Sequence, residues 1–359
     1  MAIEYKQFAN LFTFNANHCL QNDFYHNYCD ICTNLCPEDA FSLIRNKLIL
    51  DETLCTNCSA CIGSCPTEAL SVSSFNENKF TQEFEFNEIK TLNCKDNTPC
   101  LNIFDHYHFT SMAIHREFTC DLSHCDECSI NKNSIVKNDI KRKIEDSNDF
   151  LGIIGLDNKI NIKNEVEIEK ESKQKFRFKP LFQDGENIKK RSIIETKNLS
   201  TLRGIKERLP LKNRIFKDTI KTKLETLEKT KFDTKTPLIT YKNIRFESCT
   251  LCGDCIQFCP TEAFFSSTDK QAIFFTPNKC IDCNICHGIC KPMAIERVSD
   301  GFDLVDIAYD RSQELVRYEM ALCLECKCAY PYKGGEQICE RCIEFKDDMD
   351  DMMVMAKDM

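Results

Sequence analysis

An α+β, multidomain fold is predicted for this 359-residue chain from three observations. First, Cys249, Cys252, Cys255 and Cys259 follow the spacing C-x2-C-x2-C-x3-C, and Cys280, Cys283, Cys286 and Cys290 repeat it. Second, a near copy of this double pattern lies between residues 29 and 65, so the chain contains an internal duplication. Third, residues 78–156 alternate strand-like and helix-like stretches, whereas residues 157–240 hold no cysteine at all. Five segments follow: a first cysteine module at 1–77, a small α/β cysteine-rich unit at 78–156, a basic helical or linker segment at 157–240, a second module at 241–300, and a ribbon-like module with an acidic, Met-rich tail at 301–359.

The spacing of the repeated motif has a chemical reason. Three thiolates on one tight loop can each reach a different iron of a cubane cluster, while the fourth leaves on the following helix. Pro260 follows Cys259 directly and Pro292 stands two places after Cys290, where proline turns the chain. Disulfides would not need the same spacing twice. The chain carries 26 cysteines without the length of a small secreted scaffold, and its N-terminal MAIEYKQFANLFTFN has neither a basic nor an apolar leader region. A reducing, cytoplasmic setting is therefore expected, and no apolar run is long enough for a membrane span.

This stretch resembles the bacterial two-cluster ferredoxin, down to the CPTEAF that closes its first motif. The resemblance implies crossed ligation, in which each fourth cysteine serves the other [4Fe-4S] cluster. The implied sets are Cys249, Cys252, Cys255 with Cys290, and Cys280, Cys283, Cys286 with Cys259. In the first module, Cys55, Cys58, Cys61 and Cys65 complete a motif, whereas Cys29, Cys32 and Cys36 lack its first position, which is His26. Three readings remain open there: Cys19 loops in as the fourth thiolate, His26 binds one iron, or the site holds only three irons. Cys19 is favoured because thiolate is the usual cubane ligand. The expected sets are then Cys19, Cys29, Cys32, Cys65 and Cys36, Cys55, Cys58, Cys61. Ala40–Ile44 and Lys47–Leu50 flank Arg45-Asn46 and read as a hairpin over the clusters, and Ala263–Phe265 with Ala272–Phe275 repeat the device.

In the 78–156 unit, Phe84–Phe86 and Ile89–Leu92 read as strand ending near Cys94, Cys100 opens a helix through Met112, Glu117–Thr119 reads as strand, and a second helix spans Ser134–Leu151. Cys120, Cys125 and Cys128 copy a plant-type two-iron spacing, but their fourth partner would lie upstream. Cys94, Cys100, Cys125 and Cys128 are equally compatible with zinc, so zinc and [2Fe-2S] both stand for this unit. Amphipathic stretches at Leu199–Arg208 and Leu211–Lys229, split by Pro210, suggest helices, with Ile215, Ile220, Leu224 and Leu227 on one face. Near the C-terminus, Cys323-x2-Cys326 and Cys339-x2-Cys342 resemble a zinc ribbon or a rubredoxin-like site, with zinc expected, and Cys328 is a spare thiol.

Net charge is −9, yet residues 157–245 hold 24 Lys and Arg against 13 Asp and Glu, a local balance of +11. Without aromatic platforms or a recognition motif this belt does not point to nucleic acid; a solvated connector or a face for an acidic partner fits it better. The sequence has no dinucleotide fingerprint, no P-loop and no acid–base pair. The arrangement is similar to polyferredoxin-type proteins that accompany redox enzymes such as formate dehydrogenases or hydrogenases. That resemblance implies an electron-transfer protein with about four [4Fe-4S] clusters, a donor or acceptor protein as partner, and no catalysis of its own. An accessory or assembly factor of a redox enzyme, binding through the cysteine-rich and ribbon modules, is the alternative. An oxidoreductase centred on the α/β unit is a third.

Overall fold

The computed structural model describes residues 12–23, 29–165, 209–298 and 301–357. Its two modules are built alike. The hairpin Phe41–Ile44 with Lys47–Leu50 turns through Arg45 and Asn46, both at positive φ (49° and 62°), as a two-residue turn of right-handed twist requires. A short strand, Phe12–Phe14, pairs antiparallel with Leu70–Val72 and closes the first module end to end. Phe12 and Phe14 set their rings edge-on to Phe41, at 6.5 and 6.1 Å. In the second module Tyr241–Ile244 pairs with Ile295–Val298 in the same way. Its hairpin, Phe264–Ser266 with Ala272–Phe275, gains a third strand, Gln313–Arg317, across a register shift at Ile273/Phe274.

Between the modules lies a three-stranded parallel sheet in the order Thr91–Leu92, Phe118–Asp121, Ile160–Lys163. Parallel neighbours need crossovers, and the helices His106–His115 and Ile135–Ile153 supply them. Two local expectations are corrected here. Phe84–Phe86 is a 3-10 turn that extends the helix Glu77–Glu83, capped by the Asn76 side chain on Lys79 N–H at 2.7 Å. Its alternating Phe-Glu-Phe mimics a strand, but Phe84 is fully buried against Phe118, with the Arg116 guanidinium over its ring. The helix expected from Cys100 is a 3-10 turn at Leu101–Ile103 followed by a break, and the α-helix begins only after Asp105. The third strand, Ile160–Lys163, falls inside the segment expected as linker.

That segment also supplies the helix Leu211–Leu224, which opens on Pro210 as the break predicts. Ile215 and Ile220 are buried, and Leu224 and Leu227 pack beside them. The helix sits on His106–His115 and on the short helix Leu304–Ala308. Phe216 joins Tyr107 and Phe150 at 5.3 and 5.6 Å. One apolar core therefore runs from Cys19 through the α/β unit to Ala308, and a second, smaller one lies within the second module. The stretch Leu199–Arg208 is outside the described residues. The acidic tail is helical in backbone through Lys357. Among the described residues no helix is long and apolar enough to cross a membrane.

Candidate metal centres

The cysteines of the first module line two separate cavities. One gathers Cys36, Cys55, Cys58 and Cys61, and the other Cys19, Cys29, Cys32 and Cys65. In the second module Cys249, Cys252, Cys255 and Cys290 line a third cavity. Cys259 lies close enough to Cys283 and Cys286 to disfavour their ionisation, and Cys280 does the same to Cys286. Cys19 is buried in its cavity, and His26 lies outside the described residues.

The backbone around these sulfurs repeats. Three residues after each fourth cysteine stands a residue in the left-handed region: Asp39, Glu68, Glu262 and Met293, with φ of 49° to 55°. The turn it makes aims the next amide back at the sulfur. Ala40, Ala69, Ala263 and Ala294 donate to Cys36, Cys65, Cys259 and Cys290 at 3.2 to 3.3 Å. The loops starting at Cys55, Cys249 and Cys280 also carry left-handed residues two and four positions on: Asn57 and Ser59, Leu251 and Gly253, Asp282 and Asn284. Only Gly253 betrays this in the sequence. Amides aimed at sulfur favour the thiolate form.

Burial works the other way. It pushes the Cys29 thiol up to about 11, and Cys255, Cys280, Cys283 and Cys286 to about 12, with neighbouring sulfurs adding to the effect. Four such thiols ionise together only around a cation, which deprotonates its thiol ligands outright. The donor set of each cavity fits an iron–sulfur cluster. Two buried lysines stand beside the loops. Lys212 Nζ donates to the carbonyls of Gly63 (3.1 Å) and Cys65 (2.8 Å) and to the Asp105 carboxylate. Lys242 Nζ lies 3.1 Å from Asp282, 3.2 Å from Asn284 and 3.1 Å from the His287 ring, all within the Cys280–Cys290 loop. Neither was legible in the sequence, where a lysine reads as a solvated cation.

The C-terminal centre differs in kind. The sulfurs of Cys323, Cys326, Cys339 and Cys342 all lie within 4.8 Å of one another, with Cys326 and Cys339 at 3.8 Å. Four thiolates on one tetrahedral zinc stand about 3.8 Å apart, given Zn–S near 2.3 Å. The first pair sits in the turn between strands Glu319–Leu322 and Ala329–Tyr332, and the second at the start of the helix Glu340–Lys357. Burial opposes ionisation of Cys323, but the amides of Cys339, Cys326 and Glu325 overcome it and bring the thiol down to about 6. This group can bind a metal ion. Cys328 is exposed and points to the Cys326 carbonyl, outside the four.

In the α/β unit Cys94, Cys125 and Cys128 come together, with Cys100 buried beside them. Cys120 faces the core, where burial is the cause of its raised pKa and no other sulfur takes part. The plant-type spacing thus gathers two of its three cysteines.

Comparison with known proteins finds one type of domain in both modules. A 4Fe-4S dicluster domain matches residues 241–291, and a 4Fe-4S binding domain matches residues 48–71. The chain is 38% identical over 45 residues to a ferredoxin of Methanothermococcus thermolithotrophicus, covering 75% of that protein and 12% of this chain. The chain belongs to the 4Fe-4S ferredoxin family, with ferredoxin modules present twice. Domains of this class imply electron transfer.

Proposed function

We propose that this chain is a polyferredoxin-type electron-transfer protein holding four [4Fe-4S] clusters in two crossed pairs. The ligand sets are Cys19, Cys29, Cys32, Cys65; Cys36, Cys55, Cys58, Cys61; Cys249, Cys252, Cys255, Cys290; and Cys259, Cys280, Cys283, Cys286. The observation that carries this reading is the gathering of the fourth cysteine of each motif with the first three of its neighbour. A bound cubane supplies a one-electron couple whose potential follows charge, hydrogen bonding and burial. The chain's own part is to hold the thiolates, to donate amides to them, and to keep water from the buried sulfurs. Lys242 places positive charge beside Cys280, Cys283 and Cys286, which favours the reduced, more negative state there, whereas the charge of Lys212 is met by Asp105.

The ribbon is proposed as a structural zinc site, since four sulfurs within 4.8 Å of one another can close round a single ion. The partner is a redox enzyme of the formate dehydrogenase or hydrogenase kind, in a reducing cytoplasm. The test is anaerobic purification followed by reduction with dithionite. Electron paramagnetic resonance should show reduced cubanes coupled in pairs, and the partner enzyme, purified with the chain, should reoxidise them. Stable partner binding with no electron exchange would sink the carrier reading in favour of an accessory role.

A further inference from the structure

We propose that Cys94, Cys100, Cys125 and Cys128 hold a further cubane iron–sulfur cluster, set against the first ferredoxin module. The inference goes beyond the four clusters of the duplicated modules, which have their own ligands. Its starting point is the sheet. Thr91–Leu92 and Phe118–Asp121 are parallel neighbours in register, Thr91 beside Thr119 and Leu92 beside Cys120. Their carboxyl ends therefore leave the same edge, where parallel sheets place ligands. Cys94 follows the first strand by two residues, and Cys125 and Cys128 follow the second.

The two loops are tied down by their own side chains. Asn93 Oδ1 accepts from the amides of Lys95 and Asp96 at 2.9 and 2.8 Å, and Asn97 Nδ2 donates to the Thr91 carbonyl at 2.8 Å. Asn131 Nδ2 donates to the Cys125 carbonyl at 2.9 Å, while Asn131 Oδ1 accepts from Lys137 N–H. Cys100 is fixed from the other side, because Asn102 Nδ2 donates to the carbonyl of Ala60, inside the Cys55–Cys61 loop, at 2.7 Å. Such restraint is what a preformed ligand loop needs.

The spacing of the sulfurs argues against a single closed ion site and for a cluster. Among the described residues, the ribbon is the one group of three or more potential ligands whose atoms crowd within 4.8 Å. The Cys94 group is wider than that, as are the sets lining the three module cavities. A single zinc would draw its four sulfurs to about 3.8 Å. A cubane spreads them, since each binds a different corner iron. Cys94, Cys100, Cys125 and Cys128 still lie near enough for each of Cys94, Cys100 and Cys125 to feel another sulfur of the group, and Cys100 also feels Cys58. The pair Cys125-x2-Cys128 has the in-loop spacing of the cubane motifs. Cys120, without a sulfur neighbour, is the internal control.

The experiment uses the full chain, purified and reconstituted without oxygen, and counts iron, sulfide and zinc for the wild type, C94S/C128S and C120A. The double variant should lose about four irons and four sulfides, keep its zinc, and keep the thermal transition of the α/β unit; C120A should match the wild type. Loss of zinc, loss of only two irons, or no loss would each overturn the proposal. Should the double variant fail to fold, native mass spectrometry of the wild type decides: five cubanes support the site and four overturn it. A four-cubane result leaves the module reading intact, whereas iron missing from the modules themselves would sink that reading separately.

Discussion

Replacing Lys212 by methionine is expected to be among the most damaging single changes outside the cysteines. Its side chain is 3% exposed and that of its partner Asp105 is 10% exposed. The ammonium also donates to the carbonyls of Gly63 and Cys65. Methionine keeps the stem and removes all three interactions, leaving a buried carboxylate facing two carbonyls. Breaking one partner of a buried pair costs about 3–5 kcal/mol, much of the 5–15 kcal/mol that holds an ordinary domain. The comparator is Lys231→Met. Lys231 is 79% exposed and 3.9 Å from Asp303, a surface pair worth little. Because cluster loss is irreversible, the readout is the rate at which the visible absorbance bleaches in urea under anaerobic conditions. At 1.4 kcal/mol per tenfold, Lys212→Met should bleach about 100-fold faster or more, with the set that includes Cys65 leading, while Lys231→Met follows the wild type. Equal rates for the two variants would refute the reasoning.

Other outcomes follow from the same structure. Stability should fall with acid well above the carboxylate range, because burial lowers His106 to about 4 and His108 to about 3. A depressed folded value means stability present above the unfolded pKa, near 6.5, and lost as pH falls, at about 1.4 kcal/mol per pH unit for each histidine. Denaturant midpoints between pH 7 and 4.5 check this, and His108→Gln should flatten the slope. Cys19→Ala should leave a three-iron signal in electron paramagnetic resonance, and an unchanged spectrum would remove Cys19 from the ligands. Gly63→Ala should prevent docking of the α/β unit, because a Cβ there would sit 2.4 Å from the Phe104 carbonyl oxygen; normal yield and unaltered proteolysis would contradict it. Elemental analysis should find one zinc per chain, abolished by Cys326→Ser, and iron in its place would make the ribbon rubredoxin-like.

The cysteine spacing made the modules and their hairpins legible, because three complete motifs repeat one spacing and Arg45-Asn46 is turn chemistry. Other parts left no trace in residue type. Asp39, Glu68, Glu262 and Met293 share one left-handed backbone and are of three residue types. Ile160–Lys163 is four residues of strand in a polar stretch, held by its pairing with Phe118–Asp121. Lys212 and Lys242 counted toward the basic belt until the fold buried them. In each case tertiary context overrode a local signal too short or too common to read.

The burial of Lys212 follows from the ligand loops. A loop that turns its amides inward to cysteine sulfur turns carbonyls outward, and no helix or strand ladder is there to receive them. Every buried carbonyl still needs a donor. Elements outside the modules provide it with long side chains: Lys212 for Gly63 and Cys65, and Tyr318 Oη for Phe246 and Cys249 at 2.6 and 3.1 Å. The module in turn serves the helix of Lys212, whose first two amides, Leu211 and Lys212, donate to the Glu68 carboxylate at 2.7 and 2.9 Å. Glu68 is also the left-handed residue that aims the Ala69 amide at Cys65. The helix, the loop and the sulfur are thus one hydrogen-bonded unit, and a short two-cluster module cut from this chain would expose the carbonyls that Lys212 now satisfies.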